Sequence, residues 1–278
     1  MDDKLTKLIV GALQEDNYNN DITTLSIIDK NKMAAGNFVA KTTGIVSGTN
    51  VVKALYHYIN PKLSVVIHRL DGSYVNRGTV ILTIKGPMRD ILKGERTALN
   101  FLKHMSGIAT TTNRYVTEIK DLDCHILDTR KTTPLLRSLD QQAIRDGGGY
   151  NYHANLSDHI LIRDSHIIAA SGIKPAIEQV KEKRKNDLPI EVEVKNRDEY
   201  LVALNSDCDA IILDDMTNEE IESLLPLNTT NKKIAVSGDI SFKRIRSVAK
   251  LGVNYIIVDN LVEEYNQMKI ELKFYKNI

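Results

Sequence analysis

What the 278-residue chain lacks narrows its class before any motif is read. It has two cysteines, Cys124 and Cys208, and neither has metal-ligand spacing, which points to a reducing compartment without structural disulfides. No apolar run is long enough to span a bilayer, and the first residues lack a basic segment followed by an apolar one. The expectation is a cytoplasmic protein with no membrane partner. No charge sign dominates either: Lys+Arg 37 against Asp+Glu 36 leaves a net +1, so the overall field does not suggest a nucleic-acid partner. The absence of tryptophan and the six prolines exclude nothing. There is no Ser/His/Asp order, His-x-x-x-His pair, Walker sequence or dinucleotide-binding glycine fingerprint. His104, His125 and His159 have no ligand spacing and read as structural or surface histidines.

What is present concentrates in Leu127 to His166, where Arg130, Lys131, Arg137, Arg145 and Arg163 accompany His153, His159 and His166. Gly147-Gly148-Gly149 lies in the middle of that stretch. The basic character is local, which suits a small ligand with several phosphates or carboxylates better than a polymer.

The chain before this stretch reads as a small α+β domain. Leu5 to Gln14 has helical spacing, and Ala34–Lys41, Gly44–Ser47, Leu63–Arg69 and Val80–Ile84 read as strands, with a helix at Asn50–Tyr58. Ile91 to Ile119 is a long helical region. Beyond it strand and helix alternate: strands at His125–Asp128, His159–Ile162, Ile190–Val194, Ala210–Leu213, Ile234–Val236 and Tyr255–Val258. The intervening helices are read at Pro134–Asp146, about Lys174 to Lys185, Arg197–Leu204, Asn218–Leu225 and Ser241–Leu251. Alternation at this spacing implies a parallel sheet, and without a dinucleotide fingerprint it favours a barrel over an open sheet.

Folds of this kind place their sites at the C-terminal ends of strands. Those ends carry Arg130, Lys131, Arg163 and His166 first, then Glu191, Glu193, Asp214 and Asp215, and finally Ser237, Gly238 and Asp259. Cations for anionic oxygens and acids for metal waters or a developing positive charge match a Mg²⁺-bound polyphosphate substrate. Glu191 and Glu193 share a face of their strand; each also reads as an internal partner for a Lys or Arg in the barrel mouth. Ser237-Gly238 before a helix offers backbone N–H groups to a phosphate, a weak signal taken alone.

In this order the residues resemble the quinolinate phosphoribosyltransferase (nicotinate-nucleotide pyrophosphorylase) family, a type II phosphoribosyltransferase family, over nearly the whole chain. The likeness rests on Ala12-Leu13-Gln14-Glu15-Asp16, Asp21-Ile22-Thr23-Thr24 and Glu95-Arg96-Thr97-Ala98-Leu99-Asn100. It continues through Ser106-Gly107-Ile108-Ala109-Thr110, Asp128-Thr129-Arg130-Lys131-Thr132-Thr133-Pro134, Glu191-Val192-Glu193-Val194 and Leu213-Asp214. The resemblance implies an α/β fold: an N-terminal α/β sandwich over 1–105, an incomplete, TIM-like α/β barrel over 106–265, and a tail, 266–278, packing back on the first domain. It implies a homodimer with shared sites, Mg²⁺ as cofactor, and phosphoribosyl pyrophosphate (PRPP) and a pyridine base as substrates. The resemblance makes Lys131, Glu193 and Asp214 catalytic, with Glu193 and Asp214 on the metal–ribose side. Arg130, Arg163 (the family's lysine position) and Arg96 of the partner subunit would bind acidic groups, and Ser237 and Gly238 phosphate.

Several positions depart from the pattern. The family's G-G-G-x-N-H-R is Gly147-Gly148-Gly149-Tyr150-Asn151-Tyr152-His153 here, so the His-Arg pair that helps clamp quinolinate is Tyr152-His153. L-D-N is Leu213-Asp214-Asp215, Ser-Gly-Gly is Ser237-Gly238-Asp239, and the closing turn holds Asp259. A lost Arg–carboxylate bond forfeits roughly 1.5–3 kcal/mol. This directs the expectation slightly towards nicotinamide, with Tyr152 stacking on the ring, Asp215 accepting its amide N–H and His153 donating. Quinolinate, decarboxylated to nicotinate mononucleotide, is the alternative. A repurposed, non-catalytic relative, such as the molybdenum-transport-associated proteins of this fold, is a third.

Overall fold

A computed structural model describes residues 3–183 and 187–275. The expected helix end at Lys185 and the extreme ends of the first and last expected segments lie outside the described residues. Five strands precede the long helix: β1 (Met33–Ala40), β2 (Gly44–Ile45), β3 (Ser64–Ile67), β4 (Tyr74–Val75) and β5 (Val80–Pro87). Six follow it, β6 (His125–Leu127), β7 (Ile160–Ile162), β8 (Ile190–Val194), β9 (Ala210–Asp214), β10 (Lys233–Ser237) and β11 (Tyr255–Ile257), and β12 (Ile270–Phe274) comes last. The chain forms two compact units that interleave in sequence. One holds Met1–Asn113, Thr132–Gly148 and Glu264–Ile278; the other holds Arg114–Lys131 and Gly149–Glu263.

The first unit is built on an antiparallel sheet of order β12-β1-β5-β3. Phe38 of β1 faces Leu272 on one side and Leu82 on the other, and it is completely buried. A side chain at Gly36 would be crowded, since a Cβ there would lie 2.9 Å from Leu272 Cδ1 and 3.1 Å from the Lys273 carbonyl. The helix Thr49–Ile59 buries Val52, Leu55 and Tyr56 at i, i+3, i+4 spacing. Its first turn is held by Asp71, whose Oδ1 accepts from Thr49 N at 2.9 Å and Thr49 Oγ1 at 2.8 Å.

The helix Met88–Glu118 runs unbroken through the expected domain boundary at 105/106. Thr132–Gly148 also belongs to this unit, although it lies inside the sequence range expected for the barrel. The segment expected as a tail contains β12, an edge strand of the first sheet.

The second unit is a six-stranded parallel sheet of order β6-β11-β10-β9-β8-β7. That order is the chain order closed into a ring: β11 pairs with β6, and among the described residues only the β6–β7 joint lacks strand pairing. This is an incomplete α/β barrel. At the joint Tyr150 continues the pairing on the open edge of β6, its N–H donating to the Ile126 carbonyl at 2.9 Å and its carbonyl accepting from Asp128 N at 3.0 Å. Leu127, Ile212, Ala235 and Ile257 form an interior cluster, with Tyr152, Leu161 and Tyr255 packed against it.

Most expected elements lie within a residue or two of the observed ones, and Ile190–Val194 and Arg197–Leu204 coincide with them. The helix expected from Pro134 begins at Arg137, because Leu135 takes a left-handed backbone conformation, φ 67°. The helix expected over Ser241–Leu251 is regular only at Ile245–Ala249. The helix Asp164–Ala170 and strands β4 and β12 have too few residues of clear periodicity to be read beforehand.

Candidate active site at the strand ends

At the end of β6, the buried Asp128 carboxylate accepts from Tyr152 N at 2.6 Å and from Asn151 Nδ2 at 2.7 Å. It ties the segment after the glycine triplet to the residue that precedes Thr129-Arg130-Lys131. Asp128 opens the Asp128–Pro134 motif, where its residue type alone assigns it no role. Its signal was position: an acid closing a buried strand needs partners, and the nearest donors are backbone.

Tyr152 does not stand free as a platform. Its ring packs on the interior cluster, and its O–H donates to Glu191 Oε2. Burial first, and then the Glu191 charge, push its phenol well above the ordinary tyrosine range, so it remains a donor. His153 Nε2 meets the same carboxylate oxygen at 3.2 Å. Glu191 thus has tyrosine and histidine partners in place of the Lys or Arg expected for it.

His153 also lines a cavity of 670 Å³ beside β7, with Arg130, Arg163, His159, His166 and Lys183. Leu161, Ile162 and Ala176 supply apolar wall, and none of the described lining residues is an acid. The Arg163 backbone N–H donates to His166 Nδ1 at 3.1 Å, which fixes that imidazole over the first turn of the helix Asp164–Ala170. The chemistry of the wall is cationic and apolar together, suited to a flat ring bearing carboxylates.

The neighbouring strand ends are acidic. Glu193 of β8 pairs in register with Ile212, and its carboxyl is pushed up to about 7, chiefly by burial and next by the charge of Asp214. Asp214 Oδ1 accepts from Ser237 Oγ at 2.7 Å. Lys131 Nζ lies 2.6 Å from Asp259 Oδ2, and that hydrogen bond holds the ammonium above the ordinary lysine range. Glu193, Asp214 and Lys131 therefore share one electrostatic neighbourhood, since Asp214 acts on both the others.

Asp215 lies elsewhere. Its φ is 53°, and its Oδ1 accepts from Asp239 N at 3.3 Å, so its carboxylate rests against the Gly238 turn. Gly238, φ 104°, leaves no room for a side chain there, a Cβ falling 2.2 Å from Asp215 Oδ1. Asp215 lines a second cavity of 480 Å³ with Thr217, Asp239, Ser241 and Arg244. The expected nicotinamide set of Tyr152, His153 and Asp215 is therefore not assembled around one cavity. The expected phosphate turn at Ser237-Gly238 is followed by loop, the next helix starting only at Ile245, and one of its N–H groups is engaged by Asp215. Arg96 is exposed on the helix Met88–Glu118, in the first unit.

The quinolinate phosphoribosyl transferase N-terminal domain model matches residues 21–106, and the C-terminal domain model matches residues 108–273. A Methanocaldococcus jannaschii protein named a probable nicotinate-nucleotide pyrophosphorylase (carboxylating) is 38% identical over 97% of this chain and 97% of its own. The nicotinate-nucleotide pyrophosphorylase (carboxylating) of Mycobacterium leprae is 32% identical over 94% of each. The crystal structure of NadC from Streptococcus pyogenes superposes with a TM-score of 0.93 at 33% identity, covering 97% of this chain and 95% of that one.

Proposed function

The chain belongs to the quinolinate phosphoribosyltransferase family, as a PRPP-dependent pentosyltransferase of NAD synthesis, and from that premise we propose that its base is quinolinate, not nicotinamide. The observation that carries this is the acid-free cavity with Arg130, Arg163, Lys183 and three histidines in its wall. Two ring carboxylates bring that wall two acceptors for charge-assisted hydrogen bonds, whereas a neutral amide brings none of that charge. The relatives' shared name, nicotinate-nucleotide pyrophosphorylase, supports the same substrate.

In this reading the pyridine nitrogen attacks C1 of the ribose, the C1–O bond to pyrophosphate breaks, and the leaving group carries away the electron pair. Carbon dioxide then leaves ring carbon 2, which takes up a proton to give nicotinate mononucleotide. Arg130 and Arg163 orient the carboxylates, and Lys131 opposes the charge that grows on the departing pyrophosphate. Ser237 and the Gly238 turn lie beside Asp214 and Asp215, where the sugar's phosphate is assigned. Asp215 and Asp239 must yield there to an anion.

Mg²⁺ fits the acidic side. Glu193 and Asp214 offer only oxygen ligands, and the Glu193 carboxyl, held up at about 7 by burial and Asp214, is a group whose ionisation a dication favours. Glu193 and Asp214 would hold the ion, which when bound neutralises pyrophosphate charge.

The enzyme is assigned to the cytoplasm, consistent with its two free, buried cysteines; among the described residues no helix is long and apolar enough to cross a membrane. A homodimer is assigned as well, with Arg96 of the partner subunit completing each site. Mixing inactive Arg96→Ala and Lys131→Ala subunits then restores activity, and its absence after verified subunit exchange removes the shared site.

The substrate is tested by incubating quinolinate, nicotinate and nicotinamide separately with PRPP and Mg²⁺ and following pyrophosphate release. Quinolinate is expected to have the highest kcat/KM. A higher value for nicotinamide overturns the reading.

A further inference from the structure

We propose that His153, Asp158 and His159 form a binding site for a borderline transition-metal dication of the Zn²⁺ or Co²⁺ type, separate from the oxygen-only Glu193–Asp214 pair. One donor atom from each of the three residues lies within 4.8 Å of one from each of the others. His153 Nδ1 and His159 Nδ1 each stand 3.9 Å from Asp158 Oδ1. That is too long for a hydrogen bond and close to the spacing of two ligands on one ion. Donors on a tetrahedral zinc stand about 3.3 Å apart, so a closure of roughly half an ångström completes the site.

Two further observations point to a ligand. Asp158 Oδ1 and His159 Nδ1 are both buried, and neither has a hydrogen-bond partner among the described residues. Buried polar atoms without partners are costly, and both are ligand atoms of this cluster. The outer contacts also have the form that metal sites use. Glu191 Oε2 is 3.2 Å from His153 Nε2, a carboxylate on the imidazole nitrogen opposite the one that faces Asp158. The other Asp158 oxygen, Oδ2, accepts from Ala154 N at 2.7 Å, which fixes the carboxylate with Oδ1 on the side of the imidazoles. The two histidine rings are 4.3 Å apart between centroids and nearly perpendicular, at 82°. Two nitrogens and one oxygen select zinc-like ions over magnesium.

In the sequence this site is only weakly marked. His153 and His159 are on either side of Asp158 with five residues between the histidines, a spacing found in zinc fingers but here without the paired cysteines that mark them. Both histidines line the 670 Å³ cavity, so an ion there adds positive charge to its wall where the family pattern has an arginine.

The test needs neither PRPP nor a pyridine, so it stands apart from the proposed substrate. Full-length protein is stripped with a chelator, dialysed, and titrated with Co²⁺ by absorbance and with Zn²⁺ by calorimetry. One equivalent is expected to bind. His159→Ala and Asp158→Asn should each weaken binding by at least about tenfold, and Glu191→Gln by about tenfold through His153. Glu193→Gln should leave it unchanged, with circular dichroism confirming that every variant is folded. Absence of saturable binding, wild-type affinity in both His159→Ala and Asp158→Asn, or loss in Glu193→Gln instead overturns the site.

Discussion

The cavity beside β7 and the strand ends of β8 and β9 belong to one sheet, yet they are opposite in charge. The cavity wall carries Arg130, Arg163 and Lys183 with no acid among its described lining, whereas Glu193 and Asp214 form an acidic pair close enough to raise the Glu193 pKa. The first presents cations on an apolar wall, and the second a close pair of carboxyl groups. The proposed function assigns them substrates of different character: a dicarboxylate ring to the first, and a dication-bound pyrophosphate to the second. Lys131, hydrogen-bonded to Asp259 and within the influence of Asp214, is the cation that belongs to the acidic side.

The largest expected effect tests whether the two regions serve one reaction. Lys131→Ala and Arg130→Ala should each lower kcat/KM by at least about 100-fold, with circular dichroism and thermal midpoint unchanged. A steady-state rate near wild type in either variant separates that residue from the chemistry.

Arg163→Ala sharpens the division of labour. It should raise KM for quinolinate by about 10- to 100-fold, the loss of one charge-assisted bond, and leave KM for PRPP within about threefold. A change confined to PRPP reverses the assignment of the two regions.

Glu193→Gln probes the acidic side through stability. The folded-state pKa of Glu193, about 7, lies above its ordinary value of 4.5, so protonation favours the folded state. That stability is fully present below about 4.5 and is lost as pH rises through about 7. In Mg²⁺-free buffer the variant should therefore gain nothing over wild type at low pH. It should gain about 1–2 kcal/mol at pH 8, solvent screening reducing the full linkage value. Denaturant melts at both pH values check this; an equal gap at the two contradicts it. Mg²⁺ should narrow the gap at pH 8 by stabilising the ionised wild type.

Tyr152→Phe gives the smallest effect. Loss of the O–H donor to Glu191 should cost about 1 kcal/mol of stability, read as a fall in denaturant midpoint at unchanged slope. A change of substrate preference without that loss would return Tyr152 to the list of residues that touch the ring.

The chain by itself determined whatever depends on neighbours a few residues apart. The alternation Ile190-Glu191-Val192-Glu193-Val194 placed three buried aliphatics on one face and both glutamates on the other, because strand side chains repeat every second residue. The alternation of strands and helices after His125 determined a parallel sheet, and the motifs from Ala12 to Asp214, Asp128 to Pro134 among them, together carried the family. Tertiary structure alone decided which strand ends meet. Lys131 and Asp259, 128 residues apart, are joined only because β11 pairs with β6 and closes the ring. Thr132–Gly148 leaves the barrel's unit and β12 joins the first sheet, and local periodicity contains neither fact. The same limit governed the substrate. Tyr152, His153 and Asp215 suit a nicotinamide as a list of residue types, but Asp215 is folded onto the Gly238 turn and lines another cavity. Residue chemistry is written along the chain; the sharing of a cavity is set by long-range pairing and packing, which no short window of sequence encodes.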